Sequence, residues 1–253
     1  MAAISRETEA VVIDCFTHGE SDIIVTFLTR DAGKLSAIAK GAKKSKKRFV
    51  NKLELFTFLR IHYQEKPNRS LCFLTEAELH TSFINIRTDY QLYTVASTLR
   101  EFLLLAVREG EPDDRLFRLT LWALHNIDQH KYPLTILILF LVSFFGHIGY
   151  QPDFTCCNSC NTAITSNRAF SFDTTIGGLV CSNCRPVTGK RTRCIGLSMG
   201  TIRILQSAQS LPLDRLHRLV ISRNSAREAL ALIHDFGRQI FQREIISWRA
   251  LQK

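Results

Sequence analysis

The chain has 253 residues, 45% hydrophobic and 22% charged, which suits one large or two modest globular domains and excludes a disordered or fibrous protein. Thirty-three Lys+Arg against 23 Asp+Glu leave a formal net charge of +10, a balance that points to a polyanionic partner. The excess is uneven: residues 1–80 hold 13 basic and 10 acidic residues, 81–155 hold 6 and 8, and 156–253 hold 14 and 5.

Met1 to Ala10 carries Glu7 and Glu9 and no apolar h-region, so a secretory signal is not expected and the cytosol is the expected location. Residues 8–79 read as β structure. Val11–Phe16, Asp22–Thr29, Lys34–Ala39, Leu53–Tyr63 and Ser70–Leu79 are runs rich in β-branched and aromatic residues, separated by turn-like pieces such as His18-Gly19-Glu20-Ser21. Leu35, Ala37 and Ala39 alternate with Ser36, Ile38 and Lys40, the period of a half-wet strand. Five short strands suit a small closed barrel. The five-stranded oligonucleotide-binding (OB) barrel is the commonest such architecture, with an SH3-like barrel as the alternative.

Between the third and fourth runs, Lys40, Lys43, Lys44, Lys46, Lys47, Arg48 and Lys52 fall in thirteen residues without an acid. Seven like charges this close repel one another unless an anion is near. A solvated, solubilising loop is the bland reading. Nucleic acid is preferred over a membrane because no amphipathic helix or lipidation signal accompanies the lysines.

After Leu79 the period lengthens. Leu92, Val95, Ala96, Leu99, Leu103 and Ala106 recur at three and four, predicting a helix over 85–108 that Gly110 closes. Pro112, Asp113 and Asp114 predict the start of the next, with the proline in its first turn. Leu134 to Phe145 is an apolar run of twelve residues, too short for the roughly 20 of a bilayer span, and reads as a buried helix from Pro133. Leu197–Gln209 and Ser225–Trp248 are the last predicted helices.

Eight cysteines occur. Four form Cys157-x2-Cys160 and Cys181-x2-Cys184, the spacing of a four-thiolate zinc site in which each turn aims two sulfurs at one ion. With all four ligands from protein, one Zn2+ here would be structural. Two disulfides are the competing explanation, and Cys156-x3-Cys160 is an alternative register for the first knuckle. Ala169–Asp173 and Gly177–Val180 predict a hairpin between the knuckles. Cys15 and Cys72 read as small strand hydrophobes; Cys194 has no assignment. The acid-free stretch from Thr174 to Leu213 carries Arg185, Lys190, Arg191, Arg193 and Arg203, a secondary basic surface.

Gly196-Leu197-Ser198-Met199-Gly200 matches a hydrolase nucleophile elbow, with Asp214 and His217 following in the order of a triad. The elbow needs a buried strand before its serine, whereas Lys190-Arg191-Thr192-Arg193 precedes this one, so Ser198 is read as a helix N-cap. No phosphate-binding loop, H-E-x-x-H pattern or acid cluster for magnesium is evident, and no catalytic residue is assigned. Among aromatics of the barrel region, Phe49, Phe56, Phe58, Tyr63 and Phe73 are candidate stacking platforms; most are needed for the core, and Phe49 is the least easily explained as core.

His18-Gly19-Glu20-Ser21-Asp22, Leu28-Thr29-Arg30, Gly33-Lys34-Leu35, Ala39-Lys40-Gly41-Ala42 and Glu76-Ala77-Glu78-Leu79, followed by Gly110-Glu111-Pro112, Leu116-Phe117-Arg118-Leu119, His147-Ile148-Gly149-Tyr150 and the two knuckles around Phe170-Ser171 and Gly177-Gly178, stand in order along nearly the whole chain. In this the chain resembles the RecO family of bacterial recombination mediators. The resemblance implies an α+β protein. An N-terminal OB fold over 1–80 would precede a helical domain over 81–253, with a zinc-ribbon-like insert at about 152–190. It implies no enzymatic turnover and no nucleotide cofactor. The implied activity is binding of single- and double-stranded DNA and annealing of complementary strands. With RecR, the protein would load RecA onto DNA coated by single-stranded DNA-binding protein, whose acidic C-terminal tail it would hold, as part of the RecF pathway of DNA damage repair. The implied location is cytoplasmic, at the nucleoid during repair. Lys34, Lys40, Lys43, Lys44, Lys46, Lys47, Arg48 and Lys52 are the expected DNA-binding residues. An RNA-binding zinc-ribbon protein of translation or transcription, a hydrolase using Ser198, and an adaptor whose charge serves only solubility are the rival readings.

Overall fold

A computed structural model describes residues 4–45, 47–65, 71–165, 167–185 and 194–251. They form two compact units, 1–129 and 130–253.

The first unit is built on five strands: β1 (Ile4–His18), β2 (Asp22–Thr29), β3 (Gly33–Ala39), β4 (Phe58–Glu65) and β5 (Cys72–Thr81). They close in the order β1-β2-β3-β5-β4, with β3 and β5 parallel and the other pairs antiparallel, which is the OB arrangement. Closure needs one strand to serve two neighbours. β1 does so by its length: Ala10 pairs with both Thr29 and Leu59, and a bulge between Val12 and Asp14 lets the strand bend. The alternation expected of 34–40 holds, with Leu35, Ala37 and Ala39 inside and Ser36 and Ile38 half-exposed. Val25, Phe27, Leu59, Ile61 and Leu74 complete a fully buried interior, each large side chain contributing roughly 1.5–3 kcal/mol.

The predicted fourth strand begins five residues late. Residues 53–57 are turns, because Asn51 and Phe56 take positive φ (55° and 68°) and the segment folds inward to bury Leu53 and Phe56 instead of extending. The predicted helix over 85–108 is also broken. α1 (Ile84–Thr88) stops at Asp89, whose extended backbone lets its carboxylate accept the N–H of Leu92 at 3.0 Å and start α2 (Tyr90–Ala106) afresh. α3 (Asp114–Asp128) is capped by Asp113, which accepts from the Leu116 N–H, so Pro112 lies before the cap and not in the first turn. All three helices belong to the barrel's unit. At the β2–β3 turn a Cβ on Gly33 would meet the Glu111 carbonyl at 2.5 Å, and Lys34 N–H bonds the Arg108 carbonyl: glycine admits this close approach.

In the second unit, α4 (Pro133–His147) is buried nearly all round from Ile136 to Phe145. Among the described residues no helix is long and apolar enough to cross a membrane. Four short strands follow, β6 (Asp153–Cys157), β7 (Phe170–Asp173), β8 (Gly178–Cys181) and β9 (Cys194–Leu197), in the order β6-β8-β7-β9. The predicted hairpin is β7–β8; β6 joins it in parallel and β9 antiparallel. Helices α5 (Met199–Ser210), α6 (Leu213–Leu216), α7 (Arg223–Phe241) and α8 (Trp248–Leu251) complete the unit. The predicted final helix ends at Phe241 because Gln242 turns left-handed at φ 51°. Phe236 of α7 sets its ring against Phe172 and Phe145 at 5.4 and 5.0 Å, joining sheet, α4 and α7 in one core.

Candidate metal centre and nucleic-acid interface

Cys157 ends β6 and Cys181 ends β8, so the parallel pairing of these strands places the two buried thiols together. Each strand then turns tightly. The Asn161 N–H bonds the Cys157 carbonyl at 2.8 Å, and the N–H groups of Cys184 and Arg185 bond the Cys181 carbonyl at 3.0 Å, returning Cys160 and Cys184 to the same point. Gly178 makes the pairing feasible, since a Cβ there would lie 2.6 Å from the Asn158 amide nitrogen. The four Sγ atoms all lie within 4.8 Å of one another, and Cys160 and Cys181 are 3.8 Å apart. Tetrahedral thiolates about 2.3 Å from one zinc ion would be about 3.8 Å apart, so the donor set fits that ion. Cys156 and Cys194 are not part of the cluster.

Crowded thiols cannot all ionise alone. Hydrogen bonding from the Thr162 hydroxyl and backbone lowers the Cys160 pKa to about 6, while its bonding to Cys160 first, then Cys181, pushes Cys184 up to about 12. Burial opposes the thiolate at Cys157, yet the N–H groups of Cys181, Cys160 and Ser159 outweigh it and lower that pKa, the Cys181 N–H lying 3.3 Å from the sulfur. These are donors arranged for negative sulfur. Cys15 and Cys72 behave oppositely: both pack half-buried against the barrel core, and burial raises their pKa.

The lysine run forms a pinned loop after β3. Gly41 donates its N–H to Asp22 at 2.8 Å, and this bond, then the Ser21 hydroxyl, holds the Asp22 carboxyl below the ordinary range. The Lys43 N–H bonds the Ser21 carbonyl, and its ammonium reaches the Gly19 carbonyl at 3.2 Å. Ala42, Phe49 and Leu53 are buried in the barrel core. Phe49 is therefore not a free platform. The loop must close the barrel end, and a ring spaced between charged neighbours can turn inward while they face water. Phe56 and Tyr63 are likewise buried; Phe58 and Phe73 are half-exposed.

Lys40, Lys43, Lys44, Lys47 and Arg48 are exposed together on this loop. Lys52 is half-buried, its ammonium donating to the carbonyls of Ala77 (2.7 Å) and Lys47 (3.3 Å), a structural tie. Lys34 lies at the opposite end of β3, about 20 Å from Lys40 along seven residues of strand. Lys46 lies outside the described residues. Of the secondary basic set, Arg185 follows the second knuckle and Arg203 lies exposed on α5; Lys190, Arg191 and Arg193 lie outside the described residues.

Ser198 caps α5, accepting the Thr201 N–H at 3.3 Å and donating its hydroxyl to Glu228 at 2.9 Å. The strand before it, β9, is a half-exposed edge and not the buried strand an elbow needs, and the hydroxyl is committed to Thr201 and Glu228.

Comparison with known proteins matches residues 1–83 to the family model "Recombination protein O N terminal" and 87–249 to "Recombination protein O C terminal". The chain is 31% identical over 249 residues to the DNA repair protein RecO of Syntrophobacter fumaroxidans, covering 98% of each. It is 30% identical to that of Syntrophus aciditrophicus, covering 98% of this chain and 96% of the relative. Against that of Myxococcus xanthus it is 34% identical over 208 residues, 82% of this chain and 84% of the relative.

Proposed function

Because this chain belongs to the RecO family of DNA repair and recombination proteins, we propose that it binds single- and double-stranded DNA and anneals complementary strands without ATP. With RecR it helps load RecA onto DNA coated by single-stranded DNA-binding protein, whose acidic tail it engages. The observation that carries this reading is the pinned, acid-free loop presenting Lys40, Lys43, Lys44, Lys47 and Arg48 at one end of an OB barrel. Complementary strands repel through their phosphates. A surface that neutralises both releases counterions and lets them meet, after which base pairing supplies the free energy. No bond-making step is needed, and no catalytic residue or nucleotide is assigned.

In functional terms we divide the chain at about residue 80, with the DNA site on the barrel side and Arg185, Arg203 and the neighbouring basic residues as a second phosphate-contacting surface. Cys157, Cys160, Cys181 and Cys184 would hold one Zn2+, which supplies a closed, structural cross-link. The protein works in the cytoplasm, at the nucleoid during repair.

The test is hybridisation of two complementary oligonucleotides, one fluorescent and one quenched, with the purified chain and no ATP across a salt series. The expected result is acceleration that fades as salt rises. A rate equal to the spontaneous one in dilute buffer overturns the proposal. A structured RNA competitor that displaces the chain from DNA stoichiometrically would favour the RNA-binding reading instead.

A further inference from the structure

β2 and β3 pair as far as Ile23 and Ala39, and the next residue on each side, Asp22 and Lys40, stands where the lysine loop opens. Beyond that point a side chain continues what the backbone ladder leaves off. One oxygen of the Asp22 carboxylate accepts the Gly41 N–H at 2.8 Å and the Ser21 hydroxyl at 2.9 Å. Gly41 turns left-handed at φ 65°, and a Cβ there would meet nothing within 4 Å, so conformation and not space calls for glycine. The Lys43 N–H then bonds the Ser21 carbonyl at 3.0 Å, and its ammonium reaches the Gly19 carbonyl at 3.2 Å. The β1–β2 turn is thus a template on which the first half of the lysine loop is laid.

For a phosphate-binding surface this template has an electrostatic cost. Asp22 lies near enough to Lys40 for their charges to interact, and Glu20 is exposed on the same turn. Each carboxylate offsets part of the attraction that Lys40, Lys43, Lys44, Lys47 and Arg48 exert on phosphate. The two acids differ in what else they do. Asp22 holds Gly41, whereas the Glu20 side chain makes no hydrogen bond to the loop among the described residues. Like charges crowded into one loop push it apart. Where such spreading has to be reversed as DNA arrives, the ordering cost is taken from the binding free energy; a loop already held by the fold has met that cost beforehand.

We propose that Asp22 is the positioning residue of the DNA-binding loop: by holding Gly41 it keeps the exposed cations as a preformed phosphate-binding set, and its contribution through position outweighs what its negative charge takes away. This deepens the DNA-binding reading above and rests on it. Asp22 touches no phosphate and acts through the Gly41 N–H alone. Arg48 and Lys52 secure the far half of the loop to β5 through the Thr75 and Ala77 carbonyls, which leaves Asp22 as the tie at the end nearest β3. The consequence is a sign that charge counting does not give: deleting this acid from a cationic loop weakens its hold on an anion.

The test is fluorescence anisotropy of labelled oligothymidine and of a labelled hairpin duplex at fixed salt. Both are titrated with the unaltered chain and with Asp22→Ala, Asp22→Asn, Gly41→Ala and Glu20→Ala, thermal unfolding and the rate of tryptic cleavage within residues 40–48 being recorded for each. Asp22→Ala should weaken binding of both probes by about fivefold or more, although it makes the loop more positive, and should speed cleavage there. Asp22→Asn keeps the accepting oxygen and loses the charge, so it should bind at least as tightly as the unaltered chain, as should Glu20→Ala. Gly41→Ala strains the turn without a clash and should share the loss. If Asp22→Ala does not fold, Gly41→Ala takes its place in these comparisons. Asp22→Ala binding as tightly as the unaltered chain, or Asp22→Asn or Glu20→Ala losing as much as Asp22→Ala, overturns the positioning role while the DNA-binding reading stands. An unaltered chain that binds neither probe overturns both.

Discussion

The guanidinium of Arg48 lies over the ring of Phe49, 4.9 Å from its centre, with the cation exposed and the ring 4% exposed in the barrel core. Adjacent residues of the lysine run thus divide between solvent and interior. The loop that offers charge is the same loop that closes the barrel.

Truncating that ring tests the division. Phe49→Ala should cost about 3–5 kcal/mol in urea unfolding of the first unit, as a large core deletion does. Arg48→Ala should cost well under half of that, because its contacts are exposed. Equal, small effects would mean that the ring does not anchor the loop.

Charge removal should read out differently. Replacing Lys40, Lys43, Lys44 and Lys47 together by alanine should flatten the salt dependence of DNA binding by about three units of slope, for any sequence, with little loss of stability. Lys52→Met should do the reverse: its ammonium ties the Ala77 and Lys47 carbonyls, so melting falls while the slope changes by at most about one unit. Slopes measured for the three proteins over the same salt range decide this.

Metal analysis of chain purified without chelator should find one zinc per molecule. Cys181→Ser should abolish it and lower the melting temperature, whereas Cys156→Ser should keep it, since Cys156 stands outside the cluster. Because Cys184 is pushed up to about 12 and Cys160 lies at about 6, zinc binding at neutral pH must displace protons, and zinc affinity should fall as pH falls. Retention of zinc by Cys181→Ser would remove that thiol from the ligand set.

Glu228 joins α7 to the start of α5. Burial disfavours its charge, but the Thr201 hydroxyl, the Ser198 N–H and hydroxyl, and the Asn224 amide outweigh that and hold its pKa below the ordinary value of 4.5. A depressed carboxylate stabilises the fold above its unfolded-state pKa, and that contribution is lost as pH falls through the folded one. Glu228→Gln should therefore cost about 1–2 kcal/mol at pH 7, with the gap to the unaltered chain narrowing below about pH 4. Melting curves over that range check the sign; a gap that widens on acidification contradicts it.

Features carried by neighbours along the chain are legible in the amino-acid order itself. The x2 cysteine spacings, the alternation over 34–40, the cap at Ser198 and the acid-free lysine run all depend on a few consecutive residues, and each stands where its pattern puts it. The helix start is misplaced because the apolar stripe begins only at Leu92 and does not mark where the helix opens, while the Asp89 carboxylate satisfies the Leu92 N–H from an extended backbone and so caps α2.

Pairing between distant segments lies beyond that reach. Whether Phe49 turns inward depends on the open end of the barrel it fills, and whether Cys157 meets Cys181 depends on the parallel pairing of β6 with β8. The amino-acid order determined the family, the element types, the four thiols and the sign of the charge, because these follow from local spacing and composition. Tertiary structure alone decided which aromatics are core and which are left half-exposed, and which cations stand together, because burial and register are set by what each strand closes against.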